Sequence, residues 1–259
     1  QQQHQSHAAQ PFWVKHFLRV LPRALLDGSM GAQVGSDEDA KRYRDGYPGW
    51  REKEDPNDRD NQKFYSNQLE SRPDGDYIEE ILTKWYGNDE LLEQHHGYVQ
   101  WLFPIREMGM NPISQPLTAY EIDDMRGDPA VQDRLKRSYR LMLDFYGMEL
   151  VDEAEGSIGR QQKGWQRRYH NLCFSPHNFL RITRIIKCLG ELGLPHYQAP
   201  FCEHLLREVF HTKQLEECAE SLVAYWIPVV KDDAAREKLL AEVAKLVPAG
   251  SGTGKGSPD

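Results

Sequence analysis

The segment from residue 177 to residue 192 constrains the fold most, because its apolar residues recur at the spacing of one helix face. These residues are Leu180, Ile182, Ile185, Ile186, Leu189 and Leu192. Gly193 follows directly, and glycine commonly ends a helix. An apolar face this broad has to be covered by other elements. The sequence therefore predicts a core helix, around which the remaining chain packs.

Further helix signals occur along the chain after residue 74, whereas period-two alternation is scarce and short. Thr118 and Glu121 form a capping box, and Asp128 followed by Pro129 begins a helix that Gly147 ends. Other helical patterns cover residues 76–86, 88–102, 196–211, 215–227 and 232–246. These patterns predict an all-α fold: a single compact helical domain of about eight to ten helices, with a charged, loop-rich N-terminal part.

Composition divides the chain into five parts. We expect a disordered Gln/His-rich tail at 1–10, then a cationic amphipathic helix and linker at 11–36. The main domain is expected at 37–230, a C-terminal helix at 231–248 and a disordered Gly/Ser-rich tail at 249–259. The sequence begins with Gln rather than Met, so we expect a piece of a longer protein.

The chain carries no run of about 18 apolar residues, so we predict no membrane span. No secretory signal is evident. The four cysteines form no CxxC pair, and a chain of 259 residues needs no disulfides to fold. We therefore predict reduced cysteines and an intracellular protein.

Charge is distributed unevenly. Residues 37–93 hold 17 acidic and 9 basic side chains, a balance of −8 that equals the net charge of the whole chain. Residues 156–190 hold seven basic side chains and no acidic one, and we call these seven the basic island: Arg160, Lys163, Arg167, Arg168, Arg181, Arg184 and Lys187. Clustered cations need acidic partners or an anion. Pairing with the acids of 37–93 is the favoured alternative, and a bound ligand or an acidic partner protein is the other.

Motifs of catalysis and of cofactor binding are mostly absent. The sequence has no GxxxxGK[ST], GxGxxG, HExxH or GxSxG, so we predict no catalytic residues and no cofactor. His170, Cys173 and His177, with Cys188, Cys202 and His204 downstream, are residue types that zinc prefers. Their spacing is not that of paired zinc knuckles, so ordinary packing is favoured over a metal.

Four aromatic residues stand beside charged ones and are candidates for a ligand pocket: Trp101, Phe103, Trp165 and Tyr169. Core packing is the favoured alternative for Trp101 and Phe103. Trp165 and Tyr169 alternate with Arg167 and Arg168, and such a pattern can stack nucleobases. The acidic balance of the chain argues against this, so we predict no specific nucleic-acid partner.

Several long motifs resemble the conserved domain of the opioid growth factor receptor family, in order from about Lys41 to at least Phe201. The most specific is HNFLRITRIIKCLGELGLPHYQAPF at 177–201. The others are KRYRDGYP (41–48), SRPDGDYIEEIL (71–82), LLEQHHGYVQWLFPIRE (91–107), PLTAYEI (116–122) and SYRLMLDFYGMEL (138–150).

This resemblance implies that residues 37–230 are the family's domain. It implies a non-enzymatic receptor for the peptide Met-enkephalin that restrains cell proliferation, located in the cytoplasm, around the nucleus and in the nucleus. Charge alone makes Arg181 and Arg184 the leading candidates for binding a peptide carboxylate. Two alternatives stay open: a helical scaffold for protein interactions without a small ligand, and an uncharacterised enzyme or metal protein. The sequence leaves the oligomeric state open.

Overall fold

The computed structural model describes residues 34–246, with side chains from residue 37. The predicted tails at 1–10 and 249–259 lie outside the described residues. So does most of the predicted helix and linker at 11–36, whose last three residues begin the first described helix.

Twelve α-helices and one two-stranded antiparallel sheet make up this part of the chain, which confirms the all-α prediction. Seven helices precede the sheet: α1 (Val34–Arg44), α2 (Asp60–Tyr65), α3 (Ile78–Lys84), α4 (Asp89–Gln94), α5 (Tyr98–Leu102), α6 (Ala119–Gly127) and α7 (Pro129–Phe145). The strands are β1 (Met148–Asp152) and β2 (Ser157–Arg160). Five helices follow: α8 (Trp165–Phe174), α9 (His177–Glu191), α10 (Gln198–Leu206), α11 (Ala219–Ser221) and α12 (Asp233–Leu246).

Irregular helical turns join several of these elements. Turns of 3-10 helix occupy Arg51–Lys53, Pro195–Tyr197, Glu216–Cys218 and Ile227–Val229. Turns of π-helix occupy Arg207–His211 and Leu222–Trp226. No helix among residues 34–246 is both long enough and apolar enough to cross a membrane.

Local sequence signals set the ends of α6 and α7. Thr118 and Glu121 form the predicted capping box of α6. The Asp128 side chain accepts from the first main-chain N–H groups of α7, and Pro129 occupies the first turn. Gly147 follows α7 at φ +81°, and an added Cβ would lie 3.0 Å from the Trp165 main chain. Only glycine fits this turn without strain.

Helix α9 lies at the centre of the core, and Ile182, Ile185, Ile186, Leu189 and Leu192 are buried as predicted. Leu180 was predicted to be buried with them, and this is wrong, because 68% of its surface is exposed. The reason is helical geometry: at about 100° per residue, Leu180 points away from Ile182 and its neighbours.

Other differences from the prediction are local. The helix predicted over 88–102 is two helices, α4 and α5, because the chain is extended at His95. The hairpin of β1 and β2 was not predicted, since strands of four and five residues leave too little alternation to detect. Helices α1 and α2 occupy the part predicted to be rich in loops.

Candidate functional site

Two arginines of the basic island lie on α9 and bind main-chain oxygens. Arg181 is 6% exposed and donates to the oxygens of Leu92 (3.0 Å) and His95 (3.1 Å) at the C-terminal end of α4. Arg184 donates to the oxygen of Phe103 (3.2 Å), directly after α5. Burial lowers the pKa of Arg184. A cation at a helix C-terminus is favoured by the helix dipole, so both arginines cap neighbouring helices.

Lys187, the third cation on α9, is buried and bound by two carboxylates. Its Nζ lies 2.7 Å from Asp39 Oδ2 and 2.8 Å from Glu107 Oε1. Tyr47 also donates to Glu107 (2.7 Å). Arg181 and Lys187 are thus buried and do not form an outward edge of α9. Helix α1 and the chain around residue 107 cover that side of α9.

The remaining four residues of the basic island lie on β2 and around α8. Arg160 binds Glu208 (3.0 Å from Nε) and its guanidinium lies 4.2 Å from the Trp165 ring centre. Arg167 and Arg168 both bind Asp89, at 2.5 and 3.0 Å. Lys163 is exposed and forms no ion pair with a carboxylate among residues 37–246. Of the seven residues of the basic island, Arg167, Arg168 and Lys187 thus form ion pairs with acids of 37–93.

The four candidate pocket aromatics belong mainly to the core. Trp101 and Phe103 are fully buried, and Trp101 donates to the oxygen of Arg72 (3.0 Å). Tyr169 is buried against Nε2 of His204 (2.9 Å). Trp165 is partly exposed.

The candidate metal ligands contact different residues and do not form one cluster. His177 Nε2 lies 2.7 Å from Glu93, and the His170 ring contacts that of Phe174 at an angle of 45°, with ring centres 4.5 Å apart. Cys188 and Cys202 are buried, where burial raises the pKa of each thiol. Within the described part of the chain, no three His, Cys, Asp or Glu side chains are grouped as metal ligands.

A groove of about 330 Å³ runs between α4 and α8, and it contains two residues of the basic island. Helix α8 presents Arg167, His170 and Asn171 at spacings of three and four, which places them on one face. Helix α4 forms the opposite wall, and Phe145 lies between the two. The groove is lined by Asp89, Glu90, Glu93, Gln94, Phe145, Arg167, Arg168, His170 and Asn171.

Most charges in this groove already have partners. Arg168 binds Asp89 and Asp144, and its side chain is only 14% exposed. Burial acts to raise the pKa of Glu93, but hydrogen bonds from Asn171 and Asn178 outweigh it and hold that pKa below its usual value. Both amides lie within 3.2 Å of Glu93 Oε2.

Two charged side chains of the groove remain accessible. The Arg167 side chain is 73% exposed despite its contact with Asp89. Glu90 is exposed and accepts one hydrogen bond, from Gln94 (3.2 Å). A cation on α8 therefore faces the same groove as a carboxylate on α4, and together they can bind a ligand that carries both charges.

The α4 wall of the groove was missed in the sequence. Asp89 and Glu90 are adjacent, and adjacent acids are typical of a solvated helix face. The one available signal was the balance of charge, because two basic residues at 167–168 needed an acidic partner. Which of the 17 acids in 37–93 supplies it depends on tertiary packing.

The fold and the groove define this chain as a helical domain with a charged groove on its surface. The model of the opioid growth factor receptor (OGFr) conserved region matches residues 54–249, and the chain belongs to this family. It is 43% identical over 202 residues to the human opioid growth factor receptor, covering 78% of this chain and 30% of the relative.

Two further relatives carry the name of the same family. The chain is 40% identical over 202 residues to the opioid growth factor receptor-like protein 1 of mouse, again over 78% of this chain and 43% of the relative. It is 42% identical over 203 residues to the rat opioid growth factor receptor, of which 35% is covered. The chain thus spans less than half the length of these relatives. No solved structure matches it.

Proposed function

We propose that this chain is a non-enzymatic domain that binds a short peptide in the groove between α4 and α8. The observation that carries the proposal is that Arg167 and Glu90, which have opposite charges, are both accessible on facing walls of one groove. The names of the relatives support a receptor role. Family resemblance makes Met-enkephalin the first ligand to test. It also leads us to propose a role in restraining proliferation, in the cytoplasm and nucleus.

The chemistry of such a peptide fits the groove. Its amino group would bind Glu90, and its carboxylate would bind Arg167 through charge-assisted hydrogen bonds. His170 and the exposed ring of Phe174 provide an aromatic surface beside these charges. A volume of 330 Å³ is at the lower end for ligand pockets, so part of a pentapeptide would lie on the surface around it.

Calorimetric titration of the whole chain with Met-enkephalin tests the proposal. A hydrogen bond to a charged group contributes about 1.5–3 kcal/mol, so Arg167→Ala and Glu90→Gln should each weaken binding by roughly 10- to 100-fold. Lys41→Ala is the matched control, since that lysine is 70% exposed and lies on α1. Absence of binding by the unaltered chain, or equal binding by all three variants, would contradict the proposal.

A second candidate function, a scaffold for other proteins, rests on a separate observation. Met108, Met110 and Ile113 lie between α5 and α6 with 66, 91 and 47% of their surfaces exposed. Exposed methionines suit adaptable protein contacts. Partners captured by the unaltered chain and lost on Met110→Ser, but retained on Arg167→Ala, would favour the scaffold.

A further inference from the structure

One face of α9 is covered along only part of its length. Leu180, Lys187 and Glu191 lie on the same side of the helix, at spacings of seven and four. Lys187 and Glu191 are each 3% exposed, because α1 and the chain around residue 231 pack over them. Leu180 is 68% exposed. The N-terminal half of this face therefore has no cover among the described residues.

A second groove, of about 310 Å³, begins where this cover ends. It is lined by Asp39, Ala40, Thr183, Lys187, Ala224, Tyr225 and Val229. Thr183 lies one turn after Leu180, and Tyr225 is 46% exposed. Phe179 contacts Trp226, so the turn of α9 that carries Leu180 packs against the turn that carries Tyr225. The groove has apolar lining at Ala40, Ala224, Tyr225 and Val229, and the exposed Leu180 lies one helical turn from its Thr183.

Helix α1 leads towards this surface. The Tyr43 hydroxyl binds the oxygen of Lys187 and lies against Gly190. Asp39, one turn earlier on α1, binds the Lys187 ammonium and lines the groove with Thr183. Towards its N-terminus, α1 therefore runs from the level of Gly190 to that of Thr183, so its first residue, Val34, lies at the end nearer the uncovered face.

The sequence before α1 has the composition that this surface needs. Residues 12–26 contain nine large apolar side chains and the cations Lys15, Arg19 and Arg23. The first turns of α1 carry the exposed acids Asp37 and Glu38. Only seven residues separate residue 26 from Val34, and they reach at most about 25 Å.

We propose that residues 12–26 of the same chain occupy the groove between α1, α9 and the turn at Leu222–Trp226. Their apolar side chains cover Leu180 and Tyr225, and their cations lie beside Asp37 and Glu38. A short tether gives the segment an effective concentration in the millimolar range. Docking within the chain is therefore favoured over a separate partner of equal affinity.

Photo-crosslinking of the whole chain tests this docking. A benzoylphenylalanine side chain replaces Tyr225 in one sample and Tyr86 in the control, since both tyrosines are about half exposed. After illumination, mass spectrometry identifies the crosslinked peptides. We expect peptides from residues 12–26 with the probe at 225, and at least a tenfold smaller yield of them with the probe at 86.

Two further measurements distinguish the outcomes. Mixing 15N-labelled and unlabelled chains shows whether a crosslink joins one chain or two, and only the former supports the proposal. The double substitution Leu18→Asp and Leu21→Asp should reduce the crosslink at least tenfold with an unchanged melting temperature. A crosslink between two chains, a crosslink to other segments, or no crosslink at position 225 would each overturn it.

Discussion

The guanidinium of Arg181 lies 3.0 Å from the main-chain oxygen of Leu92, so a cation of α9 closes the end of α4. The same side chain binds the oxygen of His95 and the side chain of Asn178. Buried carbonyl groups need donors, and this arginine supplies them where the α4 ladder ends. Arg181 thus holds two segments of the domain together.

Replacing Arg181 is therefore expected to destabilise the fold. Arg181→Ala removes a donor from two main-chain oxygens, of which only that of Leu92 keeps another, the Tyr98 hydroxyl (3.1 Å), and this should cost about 3 kcal/mol. For a chain of this size, the midpoint of thermal unfolding should fall by roughly 6–12 °C, as measured by circular dichroism. Lys163→Ala, which removes an exposed cation, should change stability by less than about 0.5 kcal/mol. An unchanged midpoint for Arg181→Ala would show that its contacts are dispensable.

Lys187 is buried and forms an ion pair with the partly buried Glu107, and the two residues should be strongly coupled. Lys187→Met leaves Glu107 with only the Tyr47 hydroxyl, and breaking a buried pair costs about 3 kcal/mol or more. Adding Glu107→Gln removes the unpaired charge. Urea unfolding of the two single variants and the double variant should give a coupling of about 1–3 kcal/mol. Additive effects would mean that solvent screens the pair.

Features decided by neighbouring residues could be predicted from the sequence. The capping box of Thr118 and Glu121, the start of α7 at Asp128 and its end at Gly147 depend on contacts within a few residues. The buried face of α9 also follows from spacing, except that Leu180 was counted with it. Spacing shows which residues of α9 are apolar. It does not show how much of the opposite side of the helix, where Leu180 lies, is covered by neighbouring elements.

Features decided by tertiary packing could not be predicted. Arg181 and Lys187 have the same charge and lie on the same helix, yet one binds carbonyls and the other carboxylates. Charge patterning shows that partners are needed, and not which segment provides them. The groove between α4 and α8 is of this kind, since Asp89 and Arg167 are 78 residues apart.

Glu121 should be the most costly carboxylate to remove from α6. It is fully buried and accepts hydrogen bonds from Gln115, from Thr118 and from the first N–H groups of α2, at Asn61 (2.9 Å) and Gln62 (3.1 Å). Glu121→Ala leaves these donors unpaired and should cost about 3 kcal/mol in urea unfolding. Asp123→Ala is the control on the same helix, where one exposed pair with Arg51 contributes at most about 1 kcal/mol.

His204 should make stability depend on pH between about 4 and 6.5. Burial, together with the nearby Arg207, lowers its pKa from 6.5 to about 4, although Glu208 acts in the opposite direction. In the unfolded chain the imidazole takes up a proton below its ordinary pKa, whereas the folded chain keeps it neutral. The contribution of His204 is thus fully present above pH 6.5 and is lost as the pH falls towards 4.

The size of this effect follows from the difference in pKa, about 3 kcal/mol across that interval. Urea unfolding at several pH values should show the unaltered chain losing this amount relative to His204→Gln, which cannot titrate. Comparing the two cancels the contributions of carboxyl groups, because both chains carry them equally. His211→Gln, at an exposed histidine, should keep the slope of the unaltered chain. A parallel pH dependence for His204→Gln would mean that folding leaves the pKa of this imidazole unchanged.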